Sequence, residues 1–461
     1  MCTTAILCIE NIIKPKDLKL FYTLVLSLGI LHFVGFLAIP DSPLLLIACC
    51  LLLFYQKFQL NPNWKYAVML GVSAGLLLLS KYHGLIIILL VILSNIKILK
   101  SRYFWLAFTF SFIILIPHIL WLFENDFPSF KYHLFERSTR LYTFSNTLEY
   151  IFTQPFVFGP FAGLLLLYSS LKYKIVNQFE KTLKWILWGG YIFFFLMTFK
   201  GRVEAHWTLF LIIPSLYFGY GYLFNNNKLK KILYALFPLT ILLLLFARLV
   251  VSVDFFPTSK YTLWIIDEFH NKPKWAKAIH QKSGDVPVLF MNSYRKASLY
   301  EFYSGSQGMS LNNIMGRKNQ FDIWDYEDKV RGKKVMLIPN YFMNNFDSIP
   351  NVYEKVQYTF IHNFQSFSKI KITPLNKYYE VKSGKEFNIE IKINNTSKSK
   401  LDFGSNKEYP SYICYQFFDG NKFVSENQTS FEFFNNMIGN IYTINVVAPA
   451  NPGNYGLYFS I

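Results

Sequence analysis

Four short segments between apolar stretches hold the side chains of this sequence that are best suited to chemistry. They lie at residues 40–43, 80–83, 124–137 and 200–207, and together they mix carboxylates with Lys, Arg, His and Trp. Carboxylates can take a proton from a hydroxyl nucleophile, and Lys or Arg can stabilise a phosphate. Ionisable groups at a membrane edge are costly unless paired or hydrated, so this clustering indicates a site, with ordinary loop polarity as the alternative.

The elements that must position these segments are apolar helices. The chain has 461 residues, of which 52% are hydrophobic and 16% charged, whereas soluble domains carry about 25% charged residues. A spanning helix needs about 20 apolar residues. The sequence predicts an α-helical polytopic membrane protein with about nine transmembrane helices, near residues 20–39, 43–56, 66–80, 84–96, 103–122, 154–171, 185–199, 207–224 and 232–252.

The distribution of basic residues predicts the topology of these helices. Fifteen Lys and Arg residues fall in one alternating set of connections and six in the other, and the richer set is expected on the cytoplasmic side. This places the N-terminus inside and the region from residue 253 on the periplasmic face of the inner membrane. The net charge of +18 therefore reflects topology, and no nucleic-acid-binding motif accompanies it.

The region outside the membrane reads as two parts after the membrane-embedded domain at residues 1–252. Short apolar runs separated by helical stretches predict an α/β subdomain over residues 253–367. Alternating strands with turns at Asp419-Gly420 and Pro452-Gly453 predict an immunoglobulin-like β-sandwich over residues 368–461. The chain ends within the last predicted strand, which leaves the sandwich open to a further strand.

Six motifs, in order, resemble those of one family. They are residues 40–44 (PDSPL), 75–84 (GLLLLSKYHG), 116–130 (IPHILWLFENDFPSF), 202–207 (RVEAHW), 293–303 (SYRKASLYEFY) and 317–324 (RKNQFDIW). Together they resemble bacterial family-39-type glycosyltransferases, which are GT-C relatives of the protein O-mannosyltransferases and of the lipid A aminoarabinose transferase. The resemblance covers about residues 14–335.

This resemblance implies a GT-C-like helical bundle that transfers a sugar from a polyprenyl-phosphate donor to an acceptor lipid, glycan or protein. Such enzymes carry an acidic pair in the outer loop after their first membrane helix, and this sequence has no matching loop. We therefore expect the chain to lack the family's N-terminal helices and first outer loop. The main acidic pair is then expected upstream of Met1.

The resemblance also implies roles for the cations of the clustered segments. Arg202 is the first candidate for the donor phosphate, since a guanidinium can bind two oxygens at once. Lys81, Arg137 and Arg140 are expected to assist it. The alternative for Arg137 and Arg140 is an amphipathic helix lying on lipid headgroups.

The remaining candidates are acidic, aromatic or imidazole side chains. Asp41 is the candidate catalytic acid within the chain, expected to position the acceptor or the cations, with N-capping of the following helix as the alternative. His206 is a candidate ligand for phosphate, acceptor or metal, with anchoring at the interface as the alternative. The residues expected to orient the acceptor are Tyr82, Glu124, Asp126, Glu204 and His206.

A divalent cation is compatible with these carboxylates, although their spacing specifies no metal. Two other functions fit the same composition. A lipid or sugar transporter would also line a membrane cavity with polar groups, but it predicts internal repeats or broken helices near the midplane. A non-catalytic relative that binds glycan or acts as a scaffold is the second alternative.

Overall fold

The computed structural model of the chain describes residues 1–37, 39–125, 127–132, 142–253, 267–313, 318–324, 326–350, 355–395, 411–420, 422–432 and 438–461. These residues form two compact units, Met1–Val250 and Val251–Ile461. The first is helical and the second contains all the described strands.

The helices of the first unit follow one another with short connections. In the described residues they are α1 (Cys2–Ile13), α2 (Leu18–Leu26), α3 (Gly29–Val34), α4 (Asp41–Leu60), α5 (Trp64–Ser80), α6 (Gly84–Ser94), α7 (Arg102–Glu124), α8 (Pro128–Lys131), α9 (Phe144–Val157), α10 (Ala162–Lys172), α11 (Gln178–Met197), α12 (Ile212–Phe224) and α13 (Asn227–Ser252). Two 3₁₀ helices, η1 (Ile96–Lys100) and η2 (Ala205–Leu211), precede α7 and α12.

Four helical segments of the described chain are long and apolar enough to cross a membrane: α4, α7, η2 with α12, and α13. A fifth span is available if α9 and α10, bent by 94° at their junction, count as one. The apolar helices α1, α5 and α6 are shorter, and the predicted span 20–39 is broken between α2 and α3. A multi-pass membrane protein is confirmed, whereas the number of nine spans stays a prediction.

Burial separates the helices that face lipid from those inside the unit. Only 11% of the most apolar window of α7 and of α13 is buried, against 72% for the segment Ala205–Phe224. The exposed positions on the two outer helices are large and apolar, as at Phe108 on α7 and Phe246 on α13. Such surface is compatible with a bilayer and not with water.

Close packing of α5 against α7 positions the C-terminal end of α5. A Cβ atom on Gly71 would lie 2.3 Å from the Ala107 carbonyl oxygen, and one on Gly75 would lie 2.9 Å from the Ile114 side chain. Glycines spaced four residues apart let membrane helices approach at backbone distance. Lys81, the residue that follows α5, is thereby held at a fixed place at the helix end.

The second unit contains a five-stranded sheet in the order β2-β1-β3-β5-β4. Its strands are β1 (Val288–Met291), β2 (Gly308–Leu311), β3 (Val335–Ile338), β4 (Asp347–Ile349) and β5 (Val356–Ile361), and its helices are α14 (Lys272–Ser283), α15 (Tyr294–Ser304), α16 (Gln320–Ile323) and α17 (Tyr326–Val330). β1 pairs in parallel with β2 and β3, whereas β5 pairs antiparallel with β3 and β4.

Two antiparallel three-stranded sheets follow, in the orders β10-β7-β6 and β11-β8-β9. Their strands are β6 (Ile370–Pro374), β7 (Glu386–Asn395), β8 (Tyr412–Asp419), β9 (Lys422–Glu432), β10 (Ile441–Val447) and β11 (Gly456–Ser460). Alternate residues of β7, β8 and β10 share one buried cluster, which includes Ile391, Tyr415 and Ile444. A β-rich C-terminal region is confirmed; its assignment as an immunoglobulin-like sandwich and the boundaries at residues 252 and 367 stay predictions.

Candidate functional site

Asp41 and Lys81 form an ion pair at one end of the first unit. Asp41 is the first residue of α4, and Lys81 is the residue that follows α5, so the antiparallel pair of helices brings them together. The Lys81 Nζ lies 2.8 Å from both carboxylate oxygens of Asp41. The Asp41 side chain is 1% exposed and that of Lys81 is 18% exposed. Pro40 occupies the N-cap of α4, so the alternative that Asp41 caps the helix is wrong.

A third chain segment reaches the same carboxylate from η2. The Nε2 of His206 lies 3.8 Å from Asp41 Oδ2, and its side chain is 40% exposed. The ring of the neighbouring Trp207 lies 6.0 Å from Lys81 Nζ and 5.2 Å from the ring of His83. Three of the four segments singled out in the sequence, at residues 40–43, 80–83 and 200–207, therefore meet at one place.

The electrostatics of this place follow from burial. A carboxylate removed from water is costly unless a cation and hydrogen bonds compensate it, and here Lys81 supplies both. The Lys81 ammonium has three N–H donors, and both carboxylate oxygens of Asp41 accept hydrogen bonds from it. Lys81 and His206 are both partly exposed, whereas the Asp41 carboxylate that they approach is buried.

Arg202 lies in the same segment as His206 but has a different partner. Its Nη2 lies 2.6 Å from the Oε1 of Glu149 on α9, and the two side chains are 57% and 44% exposed. The Glu149 carboxylate, by hydrogen bonding and by its charge, raises the pKa of Arg202, and the charge of Glu204 adds to this effect. A phosphate that binds Arg202 must therefore share or displace Glu149.

Tyr82, in the connection after α5, contacts the C-terminal part of α7, the helix that ends at Glu124. The Tyr82 hydroxyl lies 3.1 Å from His118 Nε2, and its ring packs 5.7 Å from that of Phe130. Glu124 is the last residue of α7, and Glu204 is the residue before η2. The predicted site residues Asp126, Arg137 and Arg140 lie outside the described residues.

Glu149 and His118 are the contacts that sequence reasoning missed. Glu149 is a charged residue within the membrane-embedded helix α9, and His118 is an ionisable residue within the largely apolar helix α7, and this placement was the available signal. For metals, the described part of the chain contains no group of three or more His, Cys, Asp and Glu side chains arranged to hold an ion. A divalent cation thus has no identified ligands, and its presence stays an untested expectation.

Comparison with known proteins adds a family match. Residues 5–121 match the family model described as dolichyl-phosphate-mannose-protein mannosyltransferase. That range contains both Asp41 and Lys81, so the resemblance first drawn from the motifs is confirmed over this part of the chain. No curated protein matches the sequence.

A solved structure also aligns with the chain. It is the structure of ArnT from Cupriavidus metallidurans bound to undecaprenyl phosphate. The TM-score is 0.48 at 12% sequence identity, and the alignment covers 77% of this chain and 81% of that one.

Proposed function

We propose that this protein is a membrane glycosyltransferase that transfers a sugar from a polyprenyl-phosphate donor to an acceptor on the periplasmic face. The observation that carries the proposal is the ion pair between the buried Asp41 and Lys81. Both residues lie in the range that matches the model of dolichyl-phosphate-mannose-protein mannosyltransferases, and His206 approaches Asp41 from η2.

The reaction defines what the site must do. An acceptor hydroxyl attacks the anomeric carbon, the bond from that carbon to the phosphate oxygen breaks, and the polyprenyl phosphate leaves with the electron pair. The acceptor proton passes to a base, and the leaving phosphate gains negative charge. Fixed cations that meet this developing charge lower the barrier.

Lys81 is suited to the leaving phosphate because Asp41 fixes its ammonium in one place. Both carboxylate oxygens of Asp41 contact the ammonium, so we assign Asp41 the positioning of Lys81 and leave the proton transfer to another carboxylate. His206, on the exposed side of Asp41, is placed to donate a further hydrogen bond to phosphate or acceptor.

Arg202 supplies a second, movable cation. Its ion pair with Glu149 is exposed, and such pairs contribute about 0–1 kcal/mol, so a phosphate can displace the carboxylate at small cost. The guanidinium then binds two phosphate oxygens in parallel, which a lysine cannot do. We expect Glu149 to hold Arg202 in place until donor binds.

The test is transfer by the purified full chain from a polyprenyl-phosphate sugar labelled in the sugar, with release of polyprenyl phosphate as the readout. We expect Arg202→Ala to slow release by at least tenfold and Arg202→Lys to recover part of it. The exposed Lys200→Ala, two residues away, is the matched control and should change release less than twofold. Movement of label between leaflets without cleavage would instead indicate a transporter. Binding of donor or glycan without cleavage and without movement between leaflets would indicate a non-catalytic relative.

A further inference from the structure

A cavity of about 580 Å³ lies in the first unit, away from Asp41. It is formed by the C-terminal end of α4, the start of η1 with the residue before it, the start of α11, and one side chain of α12. Asp41 begins α4, and Gln59 lies 18 residues further along the same helix. At 1.5 Å per residue this is a separation of about 27 Å along the helix axis, so the cavity and the proposed transfer site are at opposite ends.

The polar lining of this cavity consists of amides, two hydroxyls and one cation. The amides come from Gln56, Gln59, Asn95 and Gln178, with Asn177 beside them, and Lys97 is the only charged residue among those that form the wall. A wall with donors and a cation but no carboxylate fits an anion better than a cation.

Two observations show that the wall has hydrogen-bonding capacity to offer. The Nε2 of Gln59 is buried and has no partner within the described part of the chain. The Nδ2 of Asn95 makes only a long contact, 3.4 Å to the Tyr55 hydroxyl. The Gln59 amide gains from any acceptor that enters, because a buried donor without a partner is unfavourable, and the part-buried Asn95 amide can exchange its long contact for a shorter one.

Aromatic residues complete one side of the cavity, and a hydrogen-bond network fixes them. Tyr217 and Phe179 line the wall, and the Tyr217 hydroxyl donates to the buried carboxylate of Glu180 at 3.1 Å. That carboxylate also accepts from the Tyr173 hydroxyl and the Val176 amide, so it is satisfied without help from the cavity. The apolar rings therefore provide a rigid surface for the carbon portion of a ligand.

We propose that this cavity is a second binding site, specific for a phosphate group, distinct from the donor site and used by the headgroup of a phospholipid or by free phosphate. Lys97 neutralises the charge, the amides of Gln59 and Asn95 donate to the oxygens, and Phe179 packs against attached carbon. The connections at this end of the unit are rich in Lys, which raises the local concentration of anions.

The test is binding to the purified full chain in detergent micelles. Native mass spectrometry compares retention of 1-palmitoyl-2-oleoyl-phosphatidylglycerol with that of 1-palmitoyl-2-oleoyl-glycerol, which has the same chains and no phosphate. The variants are Lys97→Ala and Gln59→Leu. Lys100→Ala is the control, because it removes an exposed lysine of the same 3₁₀ helix that does not line the cavity. A second arm titrates inorganic phosphate into delipidated protein by calorimetry.

We expect phosphatidylglycerol to be retained over the phosphate-free lipid, with retention weakened about tenfold by Lys97→Ala, severalfold by Gln59→Leu and less than twofold by Lys100→Ala. That result supports a phosphate-binding site that is occupied by the headgroup of a phospholipid. Binding of inorganic phosphate with the same dependence on the variants, and no lipid preference, supports it with free phosphate as the source. Equal retention of both lipids together with no phosphate binding, or identical losses in the Lys97 and Lys100 variants, overturns it.

Discussion

Replacing Lys81 by methionine tests whether the ion pair with Asp41 is as buried and as coupled as the structure shows. The substitution keeps an unbranched side chain but removes the ammonium that compensates the Asp41 carboxylate, which is 1% exposed. Two unit charges 2.8 Å apart attract by about 6 kcal/mol at an effective dielectric constant of about 20. Removing one partner of a buried pair costs about 3–5 kcal/mol, since the other charge is left uncompensated.

This loss should appear directly in thermal unfolding of the purified protein. For a unit of this size 1 kcal/mol corresponds to about 2–4 °C, so we expect Lys81→Met to lower the melting temperature by about 6–20 °C. The double variant Asp41→Leu with Lys81→Met removes both charges and should recover most of the loss. It should nevertheless fail to release polyprenyl phosphate, because the fixed cation is gone.

Two results would refute this reasoning. A melting temperature of Lys81→Met within 2 °C of the parent would show that Asp41 is hydrated or differently paired. A double variant as unstable as Lys81→Met alone would show that the loss comes from packing and not from an uncompensated charge. Lys57→Met, which replaces an exposed lysine of α4 at the end away from Asp41, serves as the control and should leave the melting temperature unchanged.

Three further predictions concern stability. Gly159→Ala should destabilise the protein by clearly more than Gly201→Ala. Both glycines have positive φ, which costs alanine about 1–3 kcal/mol of strain. Only at Gly159 would the new Cβ also lie 2.3 Å from a backbone oxygen. Equal melting temperatures for the two would contradict the close contact. Glu327→Ala should cost the second unit about 1–3 kcal/mol in denaturant unfolding, because its buried carboxylate accepts from the hydroxyls of Ser366 and Ser368, and an unchanged midpoint would exclude that role. Tyr415→Phe should cost about 0.5–1.5 kcal/mol by losing its hydrogen bond from the Val447 amide, which links β8 to β10, and this loss should be accompanied by faster amide exchange at Val447.

The meeting of Asp41 with Lys81 could be predicted from the sequence because topology alone brings them together. Two apolar helices joined by a short connection must run antiparallel, so the start of the first and the end of the second lie at one edge. The short link between Leu60 and Trp64 makes this pairing nearly unavoidable. The segment that contains His206 precedes another apolar stretch that begins at the same edge, so His206 could be placed near this pair as well.

The break in the predicted span 20–39 could not be predicted, because it depends on a distant segment. The Gly29 amide donates to the Phe158 carbonyl at 3.0 Å, and Gly159 packs against Ser27. One bend, between α2 and α3, is thus stabilised by another, between α9 and α10. Hydropathy reports composition along the chain and is unaffected by such a contact, so it predicts one helix where the structure has two. The same limit hid Glu149, which lies 53 residues from Arg202.

The energetics of the Asp41–Lys81 pair also bear on which function to prefer. Replacing a buried ion pair with packed apolar residues is often neutral or stabilising, by about 1–4 kcal/mol, so the pair is a poor device for stability alone. A scaffold would gain by having leucine at both positions, whereas a transferase needs a cation held at the membrane edge before the phosphate arrives. A fully stable double variant that has lost transfer would therefore separate these two functions more sharply than any single substitution, since its fold would be intact and only the fixed charge would be missing.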